Sequence, residues 1–238
     1  MIKYLQLPFH FDAFRMQEEL RSLEQVAPIA IGWKMHYQVK HYEGEWSALP
    51  LRNLTGKTDD VMISPVDGDI YQDTTLLQQC PYFKEVLQHF QCPLLAVRLL
   101  KLSPGAVIKE HKDSELYFEK GEMRIHIPVR TNEMVEFYLD NEKMQLKEGE
   151  CWYMNFNLPH RLANNSKEDR IHLVIDAVVN DWVKELFDSK NIRHKKEIDD
   201  NDLLDEQTKK EMIAHLRAMN TEVGNKLADE LEGKVNSH

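Results

Sequence analysis

The sequence predicts a mainly β fold, an antiparallel sandwich or jelly roll with helices around it, on three observations. The first is alternation. Arg124–Arg130 puts Ile125, Ile127 and Val129 on one face and Arg124, His126 and Pro128 on the other, and Arg170–Asp176 repeats the Arg-Ile-His opening. The second is that such runs are short and separated by turn residues, Asp140-Asn141 and Glu148-Gly149-Glu150. The third is that one face of these strands carries ionisable side chains. Burying them is costly unless a metal or an anion partners them, so that face reads as a site rather than a plain core.

The elements follow in chain order. Met1 to Pro8 alternates weakly and reads as a first strand. Asp12 suits an N-cap for a helix carrying Phe14, Leu20 and Leu23 to about Gln25. Ile29–Gly32 is a short apolar run, and Trp33 to Tyr42 alternates with Trp33, Met35, Tyr37 and Val39 on one face, which predicts a strand. Tyr42 to Arg52 is a turn leading into an extended segment, where Trp46 either packs in the core or lines the mouth of a pocket. Gly56 to Asp73 is polar and rich in aspartate, the composition of a long loop. A helix is expected from about Pro81, with Phe83, Val86, Leu87 and Phe90 inward. Leu94–Leu102 is a strand with Arg98 embedded in it, either a structural ion-pair partner or a site residue. Ser103-Pro104-Gly105 turns the chain, and Ala106 to Ile108 delivers it to His111. Val135–Leu139 and Cys151–Met154 complete the strands, with Trp152 and Tyr153 read as core. Asn155 and Asn164 suit local backbone capping.

After Trp182 the character changes. A short helix over Val183–Phe187 gives way to an acidic connection, and Asp205 to Leu231 shows apolar residues at helical spacing. The expected organisation is a jelly-roll domain over 1–187 and a charged helical extension over 188–238. That helix packs on its own domain, forms a homodimer contact or covers the site.

Composition narrows the function. A formal charge of −10 over 238 residues argues against nucleic acid as a partner, because phosphate binding wants a basic footprint. The sequence holds no long apolar run and no signal-peptide pattern at Met1-Ile2-Lys3-Tyr4, so a cytoplasmic protein away from membranes is expected. Cys80, Cys92 and Cys151 lack metal or redox spacing and read as reduced thiols.

The chemistry sits between Val107 and Asp176. On an extended chain residues two apart point the same way, so His111 and Asp113 can converge on one point. With His160 as a third ligand, two imidazoles and one carboxylate occupy one face of an octahedron and leave the rest open, the ligand type of non-heme Fe(II) oxygenases. Arg170 offers a guanidinium fork that matches a carboxylate, suited to the far end of a bidentate co-substrate.

His111-Lys112-Asp113, Arg124–Val129, Gly149–Tyr153, Leu158-Pro159-His160 and Arg170–Asp176 together resemble the aspartyl/asparaginyl β-hydroxylase family, which includes bacterial cis-proline hydroxylases. The resemblance covers Leu99 to Trp182 well and the tail hardly at all. It implies a double-stranded β-helix (jelly roll, cupin-like) core and a dioxygenase using Fe(II), 2-oxoglutarate and O2, with ascorbate as a reductant in vitro. His111, Asp113 and His160 would be the metal ligands. Arg170 would hold the C5 carboxylate of 2-oxoglutarate, with His126 and His172 in contact with the co-substrate. Many related oxygenases have a serine where this chain has His172. Arg124 would hold a substrate carboxylate, and Trp46 would lie near the substrate, a free amino acid or an Asp, Asn or Pro residue in a peptide. An interior bearing Arg124, His126, Arg170 and His172 is cationic, and that surplus asks for a substrate anion. A second class is a cupin-like metal protein that is a non-catalytic sensor or an isomerase, which leaves Arg170 unexplained.

Overall fold

The computed structural model describes residues 1–26, 33–61, 70–113 and 116–188, together with the isolated helical positions 213, 214, 217, 225, 228 and 229. The chain divides into two compact units, Ile2–Lys195, and Lys196–His238 with Met1. The apolar run Ile29–Gly32, much of the Asp-rich loop and all but six positions of the expected C-terminal helix, with any dimer contact it makes, lie outside the described residues. Among the described residues no helix is long and apolar enough to cross a membrane.

The larger unit runs β1 (Tyr4–His10), α1 (Ala13–Val26), β2 (Lys34–Met35), β3 (Tyr42–Glu43), β4 (Trp46–Asn53), β5 (Gln72–Asp73), α2 (Thr75–Gln78), α3 (Pro81–Leu87), β6 (Leu94–Leu102), β7 (Val107–His111), β8 (Glu122–Arg130), β9 (Val135–Leu139), β10 (Glu142–Met144), β11 (Glu150–Met154), β12 (His160–Asn164), β13 (Arg170–Val178) and α4 (Asp181–Asp188). Two antiparallel sheets form. The larger has the order β1-β11-β8-β13-β6-β4-β2 with β5 beside β4, and the smaller has the order β10-β9-β12-β7-β3. The fold is a jelly roll, mainly β with flanking helices.

Period-two alternation splits the larger sheet into two unlike faces. Ile125, Ile127, Val129, Ile171, Leu173, Ile175, Val97 and Leu99 join one apolar cluster with Met16, Leu20 and Leu23 of α1, Phe83 and Val86 of α3, and Phe187 of α4. The hydrophobic core therefore lies between the sheet and its helices, and the opposite face is left for the site. Helix α1 is capped as its sequence suggests, Asp12 Oδ1 accepting the Arg15 N–H at 3.1 Å. Glu19 of α1 accepts the Tyr82 and Phe83 N–H groups at the start of α3, at 2.6 and 2.9 Å, which locks the two helices together.

Two expectations need correction. Phe14 is not on the inner stripe of α1 but 65% exposed, its place being taken by Met16. Trp33–Tyr42 is no continuous strand. Only Lys34–Met35 pairs, and a 3₁₀ turn follows over Val39–His41. Met35, Tyr37 and Val39 are exposed, so the alternation there is not the signature of a buried face.

Turns are where they were expected. Asp140 and Asn141 both have positive φ, 49° and 63°, the two-residue hairpin turn that such residues tolerate. Gly149 has φ +80° and a Cβ there would meet the Phe11 carbonyl oxygen at 2.2 Å. That approach closes the corner at which the Gly149 carbonyl accepts the Phe11 N–H and its own N–H donates to Pro128. Gly149→Ala is expected to lower stability by about 2 kcal/mol or more, from strained backbone plus the clash. A urea midpoint equal to that of the parent chain would contradict this.

Candidate functional site

His111 ends β7 and His160 begins β12, and the two are register partners across the smaller sheet. Asp113, two residues past the strand, is anchored by its N–H to the Phe156 carbonyl at 2.9 Å. Each imidazole spends Nδ1 on a backbone carbonyl, His111 on Lys109 at 2.8 Å and His160 on Leu158 at 3.0 Å. That leaves each Nε2 as a lone pair, the arrangement by which neighbouring groups orient imidazole ligands. His111 Nε2 and Asp113 Oδ1 lie 3.6 Å apart, buried and without a hydrogen-bond partner. One ligand atom from each of His111, Asp113 and His160 falls within 4.8 Å of the others. Metal bonds of roughly 2.0–2.2 Å make that spacing closable by small side-chain movements, so the donor set fits a divalent ion.

Charged groups from the larger sheet face this cluster. Asp176 of β13 and Arg124 of β8 are register partners. Asp176 accepts Arg124 Nε at 2.7 Å and Nη2 at 3.1 Å, and Arg98 Nη1 of β6 at 3.0 Å. Arg124 Nη1 continues the chain to Asp113 Oδ2 at 2.5 Å. Asp113 thus has one oxygen engaged and Oδ1 left for a ligand. Burial raises both carboxyl pKa values, but the facing cations outweigh it and hold each below the usual range. For Asp113 that cation is chiefly Arg124, and for Asp176 they are Arg124 and Arg98.

Arg170 differs. It is buried, Nη2 lies 2.9 Å from His172 Nδ1, Nε has no partner, and no salt bridge reaches it among the described residues. Burial pushes its pKa down to about 9, which leaves it charged at neutral pH. The unpaired cation is therefore Arg170, not Arg124. Arg124 has Asp176 and Asp113 as internal counter-ions.

One cavity gathers these groups. His111, Asp113, His160, Arg124, His126, Arg170 and Trp46 all line it. His172 does not; with Arg170 it lines a second cavity. Trp46 is both buried and cavity-lining, stacked on His36 with ring centres 3.6 Å apart.

Sequence reasoning missed several lining groups. His36, Tyr37 and Gln38 sit in the segment expected to be a strand. Phe156, stacked on His126 at 4.8 Å, carries no motif. Arg98 gave a signal, a cation embedded in an apolar strand, but its partner Asp176 is 78 residues away. Asn155 and Asn164 cap local backbone as expected, Asn155 Oδ1 accepting the Asn157 N–H and Asn164 Oδ1 the Ser166 N–H.

The sequence model for Aspartyl/Asparaginyl beta-hydroxylase matches residues 12–179. L-proline cis-4-hydroxylase of Rhizobium meliloti (strain 1021) is 32% identical over 171 residues, 70% of this chain and 57% of that protein. L-proline cis-3-hydroxylase 1 of Streptomyces sp is 24% identical over 164 residues, 67% of this chain and 56% of that protein. The chain thus spans a little over half the length of these curated relatives. In fold it resembles the crystal structure of the non-heme alpha ketoglutarate dependent carbocyclase SnoK from nogalamycin biosynthesis. That match has a TM-score of 0.50 and 10% identity, and covers 74% of this chain and 80% of that chain.

The site makes metal-free stability depend on pH. Burial, joined for His36 by Arg98 and Arg124, pushes His36 down to about 3 and His160 to about 4, against 6.5 for the unfolded chain. A folded pKa below the unfolded one means full stability above pH 6.5 and loss as pH falls toward the folded values. Each histidine adds a slope of at most about 1.4 kcal/mol per pH unit in that window. Urea midpoints of the metal-free chain should fall from pH 6.5 to pH 4, and His160→Gln should flatten the fall. An unchanged slope in the variant would contradict the assignment.

Proposed function

This chain belongs to the aspartyl/asparaginyl beta-hydroxylase family, and from that premise we propose that it is an Fe(II)- and 2-oxoglutarate-dependent dioxygenase hydroxylating a C–H bond of an amino acid. One observation carries the proposal. A single cavity holds a ligand set with bare donor atoms, His111 Nε2 and Asp113 Oδ1, and a buried guanidinium without an anion, Arg170. A metal and a carboxylate are what those donor atoms and that guanidinium suit.

His111, Asp113 and His160 would hold the iron, Asp113 through Oδ1 because Arg124 engages Oδ2. Bound iron, with 2-oxoglutarate and O2, supplies the oxidation that breaks the C–H bond and leaves succinate and CO2. Arg170 takes the far carboxylate of 2-oxoglutarate as a bidentate pair, with His126 and His172 at that end of the site. Trp46, Phe137, Phe156 and Leu162 wall the cavity, and an apolar wall keeps water from the reacting carbon.

Charge favours an anionic group on the substrate. Arg98, Arg124 and Arg170 face Asp113 and Asp176, and a divalent ion cancels a dicarboxylate, so three cations against two anions leave one positive charge. A substrate carboxylate neutralises it. Arg124, paired to Arg98 through Asp176, has N–H groups left over for that carboxylate, and Trp46 lines the same cavity. A free amino acid suits this better than an Asp, Asn or Pro residue in an acidic peptide, since the chain itself carries −10.

The test is succinate release from 2-oxoglutarate with Fe(II) and ascorbate, across free proline, aspartate and asparagine and peptides containing them. Release stimulated by none of these would return the chain to the cupin-like metal proteins without oxygenase activity. The arginines should separate. Arg170→Ala should abolish 2-oxoglutarate consumption, whereas Arg124→Ala should keep uncoupled consumption and lose most product. Equal losses would show that the two ends of the cavity are wrongly divided.

Esterifying the substrate carboxylate should cost about 2–3 kcal/mol in kcat/KM by removing a charge-assisted pair. An ester hydroxylated as well as the acid would refute the carboxylate reading.

A further inference from the structure

Behind Arg170 three side chains meet at one atom. Arg170 Nη2 lies 2.9 Å from His172 Nδ1, and His126 Nδ1 lies 3.3 Å from the same nitrogen. His126 and His172 are buried, on neighbouring strands β8 and β13. A guanidinium has only donors, so Arg170 must donate and His172 Nδ1 must be a lone pair. His172 then carries its proton on Nε2. The second contact follows from the first. Two lone pairs would repel at 3.3 Å, so His126 meets this acceptor with an Nδ1–H. His126 Nε2 is then bare, and it is also buried with no partner. Both rings are neutral in this arrangement. Burial, then the Arg170 charge, disfavours protonation of each.

We propose that His172 is the positioning residue of the anion site: its single Nδ1 acceptor fixes the aim of Arg170 and sets His126 to present a bare Nε2 to the cavity. This deepens the proposed function and rests on it for the identity of the anion. It also divides labour. Arg170 keeps Nε and its remaining N–H groups for the far carboxylate of the co-substrate. His126 does not bind a carboxylate, since oxygen lone pairs would face its own; its Nε2 accepts from a donor. His172 touches neither ligand and acts through its two neighbours.

The inference is tested without turnover. 2-Oxoglutarate is titrated calorimetrically into the full chain loaded with Zn(II). His172→Leu should weaken binding about tenfold or more, the factor one hydrogen bond to a charged group carries. His172→Asn, whose amide oxygen still accepts, should recover most of it. Zn(II) affinity should be unchanged in both, which a merely structural defect would not spare. Binding by His172→Leu within about twofold of the parent, with Arg170→Ala impaired, would overturn this inference and leave the proposed function standing. Parent-like binding by Arg170→Ala would instead overturn the anion site itself. Should His172→Leu fail to fold, ¹⁵N-histidine spectra of the parent chain decide. His126 protonated on Nδ1 and His172 on Nε2 is the expected result, and His126 protonated on Nε2 overturns it.

Discussion

The structure depends on one buried carboxylate. Asp176 is 1% exposed, between the guanidinium groups of Arg98 and Arg124, and accepts three hydrogen bonds from them. Without it two arginines would face each other inside a barrel, and removing one partner of a buried ion pair costs about 3–5 kcal/mol. With it, the interior of the jelly roll can be charged at all. Charge inside also explains why the apolar core lies elsewhere, between the outer face of the larger sheet and the helices α1, α3 and α4. The helices are therefore no decoration on a barrel. They bury the face that stabilises the fold, and so release the other face for chemistry.

That division was legible in β8 and β13, because alternation is a local property. Arg124, His126, Arg170 and His172 share a face for the same reason that Ile125, Ile127, Ile171 and Leu173 share the opposite one. His111 and Asp113 were legible too, two residues apart on an extended chain. Pairing across the barrel was not. Asp176 looks from the sequence like a polar strand end, and only the register against Arg124, 52 residues earlier, makes it a clamp. The segment Trp33–Tyr42 failed for a different reason. Its alternating aromatics imitate a strand, yet the chain there passes over the mouth of the cavity. His36, Tyr37 and Gln38 in succession line the cavity, and no sheet face is buried there. A period of two reports two unlike sides; it does not report hydrogen-bonded neighbours.

Pro128 links fold irregularity to the site. A proline cannot donate to a ladder and is tolerated in sheets at edges and bulges. Here it sits in a strand paired on both sides, and the register between β8 and β13 slips by one residue beside it: Ile171 faces Arg130 but His172 faces Pro128. Bulges re-aim side chains and are frequent next to active sites. This one falls between the part of β13 that carries Asp176 and the part that carries Arg170.

The two ends of the cavity are consequently built on different logic. At the Asp176 end every strong charge has an internal partner before any ligand arrives, and the run Arg98, Asp176, Arg124, Asp113 is continuous. A perturbation of either arginine therefore reaches the Asp113 carboxylate through hydrogen bonds, not through bulk packing. At the Arg170 end the cation has a neutral imidazole instead of a carboxylate, so its charge stays unspent. A site prepared this way should bind anions selectively where neutralisation is missing and hold geometry rigid where it is complete. The barrel achieves both with side chains from three adjacent strands, because β6, β13 and β8 are neighbours in one sheet and their charged residues share its inner face. Electrostatic preorganisation of this kind needs no movement at the moment of reaction, and the fixed partners of Arg124 and Asp113 supply it from the sequence outward.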